Sequence, residues 1–407
     1  AFEWYGKAAE QNHADAQFRL GFASSNGEVV EHRKPQRRCC CCRRRRRRGR
    51  GAHALGHGGA AVAMRRSAAL ASALNAQDQR LPTNRSEAEV VGALAEAHAL
   101  YLDAVRKNEI ADIGVAKGPA SAAAGAASFP PAVVLMVVQP EERNFIDQRG
   151  IEVALWEAHR VPLIRATLLE IKQAGTLHGA ERRLQLALQT GNVEVSVVYL
   201  RVGYTPTDYP GDAEWQGRAL TERSFAIKCP SVDVQLAGTK KVQQVLSRAE
   251  ELERFVSGEH AAMLRSCFAG LWGLEEGTEV TEDIVEMALA APSNFVLKPQ
   301  REGGGNNYFD QELADKLREM SPSERAAYII MQRIEPPTHE AALMKAGEVE
   351  GGACACELGV YGVFLGDGRR VLLNKDAGHL LRVKRAGVAE GGVVAGFAAL
   401  GSPVLYP

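Results

Sequence analysis

The sequence lacks the features that mark membrane, secreted and disordered proteins. Its longest uninterrupted apolar run, 132–138, is seven residues long, whereas a membrane-spanning helix needs about 20. Residues 1–10 carry charge and no apolar stretch, which excludes a signal peptide there. Hydrophobic residues make up 46% of the 407 positions, which is too many for a disordered chain. We therefore predict a cytoplasmic protein without a membrane partner.

Acidic residues are missing from one stretch, 32–50, which holds 11 of the 49 basic side chains. The formal net charge of zero therefore hides a mildly acidic body, 51–407, with 36 basic and 44 acidic residues. An acidic body argues against general nucleic-acid binding. The basic tract by itself leaves RNA binding or nuclear import open, although no aromatic residue within it offers a base-stacking surface. We predict a low-complexity linker over 32–59.

Cysteine is scarce outside that tract, because four of the eight cysteines are consecutive at 39–42. Cys39 and Cys42 form a CxxC pair, with His53 and His57 downstream. The residues between Cys42 and His53 are mostly arginines, which cannot form the apolar core of a zinc finger. We therefore predict reduced thiols and no zinc site.

Residues 1–31 differ from everything that follows. Apolar residues recur at helical spacing, and Trp4, Tyr5, Leu20 and Gly27 resemble part of a Sel1-like repeat. One such repeat cannot bury its own apolar face. We therefore predict a partial helical repeat, with a protein-binding scaffold as the functional alternative.

Strands and helices alternate from residue 132 onward. The apolar run 132–138 is typical of a strand covered on both faces, and strands are also predicted at 161–165 and 193–200. A helix over 151–159 is expected to place Leu155 and Trp156 on its apolar side. The alternation predicts a parallel-sheet α/β unit over 132–235.

Polar residues follow two of these strands. Glu142, Asn144 and Gln148 come after the first, while Arg201 and Tyr204 come after the third. Ligands gather at the carboxyl ends of strands in open α/β sheets. Acid, amide, guanidinium and phenol groups together suit a small zwitterionic ligand with several carboxylates. Ordinary loop polarity is the alternative.

The segment FVLKPQREGGGNNYF, 295–309, contains the strongest chemical signal. A short apolar strand carries Lys298, and Glu302 precedes three consecutive glycines. Such glycines expose backbone N–H groups that can wrap phosphate oxygens, and Glu302 is suited to hold Mg²⁺. The pattern is neither a Walker motif nor a dinucleotide turn.

The following segments extend this pattern. Ser321 and Glu324 predict a capping box at a helix start, and 331–334 predicts a strand edge against which adenine can pair. A long strand over 354–365 contains Glu357. Arg382 and Lys384 lie two residues apart, on one face of a strand.

These residues stand in strings that resemble eukaryotic glutathione synthetases, which are ATP-grasp ligases. The strings are EERNFIDQ, VVYLRVGY, QLAGTKKVQQ, FVLKPQREGGGNN, YIIMQRIEP, CELGVYGVFL, HLLRVK and EGGVVAG, in family order over 132–407. The resemblance implies an α/β fold (α+β overall), an ATP-grasp fold with an inserted parallel-sheet substrate domain. It also implies ATP- and Mg²⁺-dependent joining of glycine to γ-glutamylcysteine through an acyl phosphate, by a homodimer. Glycine and another small amino acid remain open as the acceptor.

The resemblance also assigns residues to roles. Lys298 and Arg382 are the implied catalytic residues, and Glu302 is the implied metal ligand. The implied substrate residues are Glu142, Asn144, Gln148, Arg201, Tyr204, Arg382, Val393 and Val394. The implied ATP residues are Lys240, Lys298, Glu302, Gly303, Gly304, Gly305, Asn306, Asn307, Phe309, Met331, Gln332, Arg333, Ile334, Glu357, Lys384 and Glu390.

The domain division that follows has a helical part of the ATP-grasp body at 60–131, a substrate domain at 132–236 and an ATP-grasp domain at 237–407. An upstream Glu-x-Asn metal segment expected of the family is not recognisable in the sequence. We therefore expect the sequence to be incomplete. An inactive ATP-binding homologue, a Sel1-type scaffold and an RNA-binding protein are the alternative functions.

Overall fold

The structure is a computed structural model in which the described residues are 82–113, 130–142, 145–276, 279–301, 306–345, 348–368, 370–388, 393 and 397–403. The predictions for 1–31, 32–59 and the cysteine run lie outside these residues. None of the helices in the described ranges combines the length and the apolar character that crossing a membrane requires.

The described residues fall into two compact units. The first unit comprises 87–233 and 365–372, and the second comprises the described parts of 82–86, 234–364 and 373–403. Each unit has its own sheet or sheets and its own core.

The first unit is built on a six-stranded sheet. Its elements are α1 (Ser86–Ile113), β1 (Ala132–Val137), α2 (Phe145–His159), β2 (Leu163–Ala166), α3 (Leu168–Ala174), β3 (Gly175–His178), β4 (Arg183–Leu188), β5 (Gly191–Leu200), α4 (Asp212–Arg223) and β6 (Ile227–Cys229). The strands have the order β2-β1-β5-β4-β3, and β6 also pairs with β5.

Parallel pairing dominates the centre of this sheet, as the apolar runs predict. β1 is parallel to both β2 and β5, and all of its residues after Ala132 are buried. The β3–β4 hairpin departs from this pattern, because β4 pairs antiparallel with the first part of β5. β6 pairs parallel with the later part of the same strand.

Helix α2 shows one wrong prediction. Leu155 is fully buried, but Trp156 is 51% exposed. The buried stripe of the helix comprises Asp147, Gln148, Ile151 and Leu155, and Trp156, about 100° around the helix from Leu155, lies outside it. Trp156 instead lies under the Arg160 guanidinium, 5.8 Å from its ring centroid.

Polar groups are also buried in this unit, and they form hydrogen bonds. Arg183 on β4 and Tyr101 on α1 both donate to the Glu194 carboxylate on β5. His98 on α1 bonds through Nδ1 to the Ser196 hydroxyl, which donates to the Val133 carbonyl. Satisfying these groups removes the large penalty that unpaired buried polar atoms incur.

The second unit contains two antiparallel sheets. Its elements are α5 (Val232–Ala237), α6 (Lys240–Leu246), α7 (Gly258–Arg265), β7 (Leu271–Gly273), α8 (Glu279–Ala290), β8 (Phe295–Pro299), β9 (Tyr308–Phe309), α9 (Asp310–Glu319), α10 (Pro322–Arg325), β10 (Tyr328–Gln332), β11 (Thr338–Lys345), β12 (Glu348–Gly366), β13 (Val371–Arg385) and β14 (Ala398–Gly401). The two sheets have the strand orders β7-β10-β8-β9 and β11-β12-β13-β14.

Local signals account for several of these elements. Strand β8 begins with three buried apolar residues, as predicted, and Leu297 packs in a core with Leu313, Leu317 and Ile330. The capping box at α10 is confirmed, because the Ser321 hydroxyl accepts from the Glu324 N–H and the Glu324 carboxylate accepts from the Ser321 N–H.

Candidate functional site

The polar residues that follow β1 and β5 meet at one edge of the first sheet. β1 and β5 are parallel neighbours in the register Val137 to Leu200, and the Arg201 N–H donates to the Val137 carbonyl at 2.9 Å. Glu142 follows β1 and is half-buried. Helix α2 begins shortly afterwards and carries Gln148 in its first turn. Asn144 lies outside the described residues.

Arg201 is held by a partner that sequence reasoning missed. Its Nη2 lies 2.9 Å from Oδ2 of Asp147, and both side chains are almost entirely buried. Burial alone lowers the pKa of the Arg201 guanidinium, but the neighbouring Tyr199 and Asp147 outweigh it and raise that pKa above its ordinary value. Arg201 is therefore a fixed positive charge at this edge. The available signal was an acid in the string EERNFIDQ, one residue before Gln148.

Gln148 is buried without being satisfied. It is 1% exposed, and its side-chain Nε2 and Oε1 atoms have no hydrogen-bond partner within the described part of the chain. A buried amide without partners is costly, and such groups in native proteins generally face a ligand or a water molecule. The carboxyl-terminal edge thus offers a fixed cation and an amide ready to donate and accept.

The Tyr204 loop leads away from Arg201 toward α4. Tyr204 is half-buried, and its backbone N–H donates to the Asp208 carboxylate at 3.0 Å. Sequence reasoning missed Asp208 as well. The available signal was an acid two residues after Pro206, a spacing that is common in short helical turns.

The second unit brings together several of the predicted nucleotide residues. Lys298 lies on β8, opposite Ile329 of β10, and is half-buried. Lys240, at the start of α6, donates through Nζ to the carbonyl of Arg301. The carbonyl belongs to the residue just before the predicted phosphate loop. Of that loop, Asn306 and Asn307 are described and half-buried, whereas 302–305 lie outside the described residues.

The other side of β8 carries Phe309 on β9, which pairs with Val296. The Arg333 guanidinium lies 5.9 Å from the Phe309 ring centroid and forms an ion pair with Asp310 at 2.8 Å. The predicted strand edge over 331–334 is only partly a strand, because β10 ends at Gln332.

Two backbone N–H groups of this segment already donate hydrogen bonds within the protein. The Gln332 N–H donates to the Gly270 carbonyl and the Arg333 N–H donates to the Asn294 carbonyl, both at 2.8 Å. Met331 is paired within the sheet, whereas the Ile334 side chain is 64% exposed. Ile334 therefore provides the most exposed apolar side chain of this segment, and the Met331 side chain is half-buried.

A charged triad connects β12 and β13. Arg382 Nη2 lies 2.6 Å and Lys384 Nζ 3.3 Å from the Glu357 carboxylate. The prediction that Arg382 and Lys384 share one strand face is confirmed, since both reach the same acid. Val393 is half-buried in a turn, while Val394 and Glu390 lie outside the described residues.

Metal binding is not evident in the described ranges, which contain no group of three or more acidic, histidine or cysteine side chains that could hold a metal ion. Glu357 does not fit as a ligand in this arrangement because two cations already occupy its oxygens. The predicted ligand, Glu302, lies outside the described residues.

The chain is similar to known proteins along most of its length. The sequence profile described as "Eukaryotic glutathione synthase, ATP binding domain" matches residues 56–405. A human glutathione synthetase is 47% identical over 282 residues, which cover 68% of this chain and 57% of the human protein. The chloroplastic glutathione synthetase of Arabidopsis thaliana is 40% identical over 328 residues, which cover 80% of this chain and 54% of the Arabidopsis protein. A glutathione synthetase of Dictyostelium discoideum is 40% identical over 332 residues, which cover 80% of this chain and 63% of that protein.

A solved structure supports the fold. The ligand-free glutathione synthetase-like effector of Globodera pallida superposes with a TM-score of 0.53 at 19% identity, over 80% of this chain and 63% of the other. The matched part of this chain spans between half and two thirds of the length of these curated relatives. The fold is of the ATP-grasp type predicted, with mixed helices and sheets. The profile match and the identities together show that the chain belongs to the eukaryotic glutathione synthase family.

Proposed function

We propose that this chain carries out the ATP-dependent ligation of glycine to γ-glutamylcysteine, giving glutathione, ADP and phosphate. The observation that carries the proposal is the buried, unsatisfied amide of Gln148 beside the Asp147–Arg201 pair. In a member of this family, such an edge is suited to a ligand with carboxylate and amide groups.

The substrate residues have complementary chemistry for γ-glutamylcysteine. Arg201 offers a fixed positive charge for a carboxylate, and Gln148 offers a donating NH2 group and an accepting carbonyl oxygen for the peptide or the α-amino acid end. Glu142 and Asn144 would meet the ammonium group, and the Tyr204 phenol would donate to a carboxylate. Arg382, Val393 and Val394 would complete the substrate residues.

The nucleotide residues would serve ATP. Lys298 precedes the segment 302–307 in the chain, and Lys240 donates to the Arg301 carbonyl. Both would supply positive charge to phosphates that the glycines of this segment would wrap. Phe309 and Ile334 offer apolar surface for the adenine ring, beside Met331, Gln332 and Arg333. Glu357 and Lys384 would bind ATP, and Glu390 belongs to the same proposed set.

Lys298 and Arg382 are the residues we propose as catalytic. Activating the substrate carboxylate as an acyl phosphate concentrates negative charge on the transferring phosphoryl group, and positioned cations stabilise it. Mg²⁺ bound at Glu302 would add to this neutralisation. Exclusion of water by the segment EGGVVAG, 390–396, which contains Val393 and Val394, would protect the acyl phosphate from hydrolysis.

The remaining proposals concern organisation. We propose a partial Sel1-like repeat over 1–31, a linker over 32–59, a helical part over 60–131, a substrate domain over 132–236 and an ATP-grasp domain over 237–407. The resemblance supports a homodimer. We also propose a cytoplasmic location, because the reduced thiols predicted from the cysteine pattern fit a reducing compartment.

Phosphate release tests the proposed function. The purified 407-residue protein, given Mg-ATP and γ-glutamylcysteine, should release phosphate only when glycine is added. Lys298→Ala should lower this release at least about 100-fold, because it removes a cation from the phosphoryl group. The matched control is Lys107→Ala, whose side chain is 72% exposed on α1 and which should behave as the wild type. ATP binding without glycine-dependent release would refute the ligase and favour an inactive homologue.

A further inference from the structure

The Asp208 carboxylate organises the loop that carries Tyr204. One oxygen, Oδ2, accepts three successive backbone N–H groups: Gly203 at 2.9 Å, Tyr204 at 3.0 Å and Thr205 at 3.0 Å. Three neighbouring N–H groups that converge on one point form a concave anion site in the backbone. A side chain of the protein itself occupies it here, so the loop wraps around Asp208.

The opposite side of the same peptide is also held. The Gly203 carbonyl accepts from the Tyr209 hydroxyl at 2.9 Å and from Arg218 Nη1 at 3.3 Å. Gly203 has φ +95°, a conformation that side chains rarely adopt, and a Cβ there would meet the Tyr209 oxygen at 2.8 Å. Trp215 stacks on the Tyr209 ring, with centroids 3.8 Å apart.

These contacts fix the backbone between two proposed substrate residues. Arg201 is held by Asp147 at the start of the segment. Tyr204 has its own N–H and both neighbouring N–H groups bound to Asp208, so the direction in which its side chain leaves the backbone depends on this carboxylate.

We propose that Asp208 is a positioning residue for γ-glutamylcysteine, acting through Tyr204. The inference rests on the proposed function and adds a residue to it. A carboxylate is suited to the position because a full negative charge strengthens each of the three hydrogen bonds. The ordered loop presents Tyr204 before the substrate arrives, so binding does not have to supply the ordering free energy.

Calorimetric titration of the 407-residue protein with γ-glutamylcysteine tests this role. Asp208→Ala should raise the Kd about tenfold, and Asp208→Asn, which keeps an acceptor oxygen without the charge, about threefold. The matched control is Thr207→Ala in the same turn, an exposed residue whose hydroxyl forms a hydrogen bond with the Thr205 hydroxyl; this variant should bind as the wild type. The Kd for ATP should remain unchanged in all three variants.

Two further measurements separate positioning from general stability. Hydrogen exchange at the amides of 203–205 should accelerate in Asp208→Ala but not in Thr207→Ala. In a Tyr204→Phe background, Asp208→Ala should cost no more than about twofold, because the two residues act together.

The possible failures are distinguishable. If the wild-type protein does not bind γ-glutamylcysteine, the proposed function fails and this inference falls with it. If the wild type binds and Asp208→Ala binds equally well, only the role of Asp208 is overturned. An undiminished cost in the Tyr204→Phe background would show that Asp208 does not act through Tyr204.

Discussion

Replacing Arg183 with methionine should destabilise the first unit by about 3–5 kcal/mol, the usual cost of breaking a buried ion pair from one side. The Glu194 carboxylate is 2% exposed, and Arg183 approaches it through Nη2 at 2.6 Å and Nε at 3.0 Å. Methionine retains an unbranched apolar side chain but donates no hydrogen bond. The Tyr101 hydroxyl, at 2.9 Å, would then be the remaining donor to Glu194 among the contacts of the described residues.

The size of this effect follows from burial rather than from attraction alone. Exposed ion pairs contribute about 0–1 kcal/mol because water solvates both charges when they separate. Water cannot solvate a carboxylate that is enclosed between α1, β4 and β5. The loss of its cation therefore leaves most of the desolvation cost uncompensated. The double variant Arg183→Met/Glu194→Gln removes the charge as well. It should therefore be at least about 2 kcal/mol more stable than the sum of the single effects predicts.

Urea denaturation followed by the fluorescence of Trp156 and Trp215, the tryptophans of this unit, measures these free energies. Lys107→Met is the matched control, because the Lys107–Asp103 pair on α1 is 72% and 55% exposed. It should change the free energy of unfolding by less than about 0.5 kcal/mol. A loss below about 1 kcal/mol in Arg183→Met, or strict additivity in the double variant, would refute the reasoning.

Three further predictions concern packing, pH and capping. Gly217→Ala should destabilise the protein by about 1–3 kcal/mol, because the new Cβ would lie 2.1 Å from the Leu168 carbonyl oxygen. Gly92→Ala, which has open space around it, should stabilise α1 by about 0.5–1 kcal/mol. Equal midpoints of urea unfolding for the two variants would contradict this prediction. Burial lowers the pKa of His98, so the contribution of the neutral imidazole to stability is present above about pH 6.5 and is lost as the pH falls. His98→Asn should therefore flatten the decline in the free energy of unfolding between pH 7 and 5. An unchanged slope of that free energy against pH would argue against this role. Ser321→Ala should cost about 1 kcal/mol in thermal or urea unfolding, since the Glu324 N–H loses its acceptor; no change would mean that this cap is not stabilising.

Local patterns were sufficient to predict the principal strands and the position of polar residues at their ends. β1 and the apolar half of β8 are runs of consecutive buried residues, and such runs are readable because both faces of the strand need apolar side chains. The common face of Arg382 and Lys384 follows from the two-residue period of a strand. The capping box at Ser321 was likewise legible, because its two hydrogen bonds connect residues three apart.

Contacts between distant residues were beyond such patterns. Nothing in the amphipathic period of α2 distinguishes Leu155 from Trp156 until the sheet beneath the helix is known. The pairing of Arg201 with Asp147 joins residues 54 positions apart, and that of Arg382 with Glu357 joins residues 25 apart.

The sequence by itself determined the family, through strings of residues that resemble it, and the residue types available for binding. It also indicated which strands those residues follow, because such strands are runs of apolar residues with short-range spacing. Only the tertiary structure decided which of those residues hold one another. It tied Arg201 to Asp147, buried Gln148 without a partner and folded the Tyr204 loop around Asp208. The physical reason is that hydrogen bonding and burial depend on distances between chain segments, which become defined only when the sheets and helices pack together.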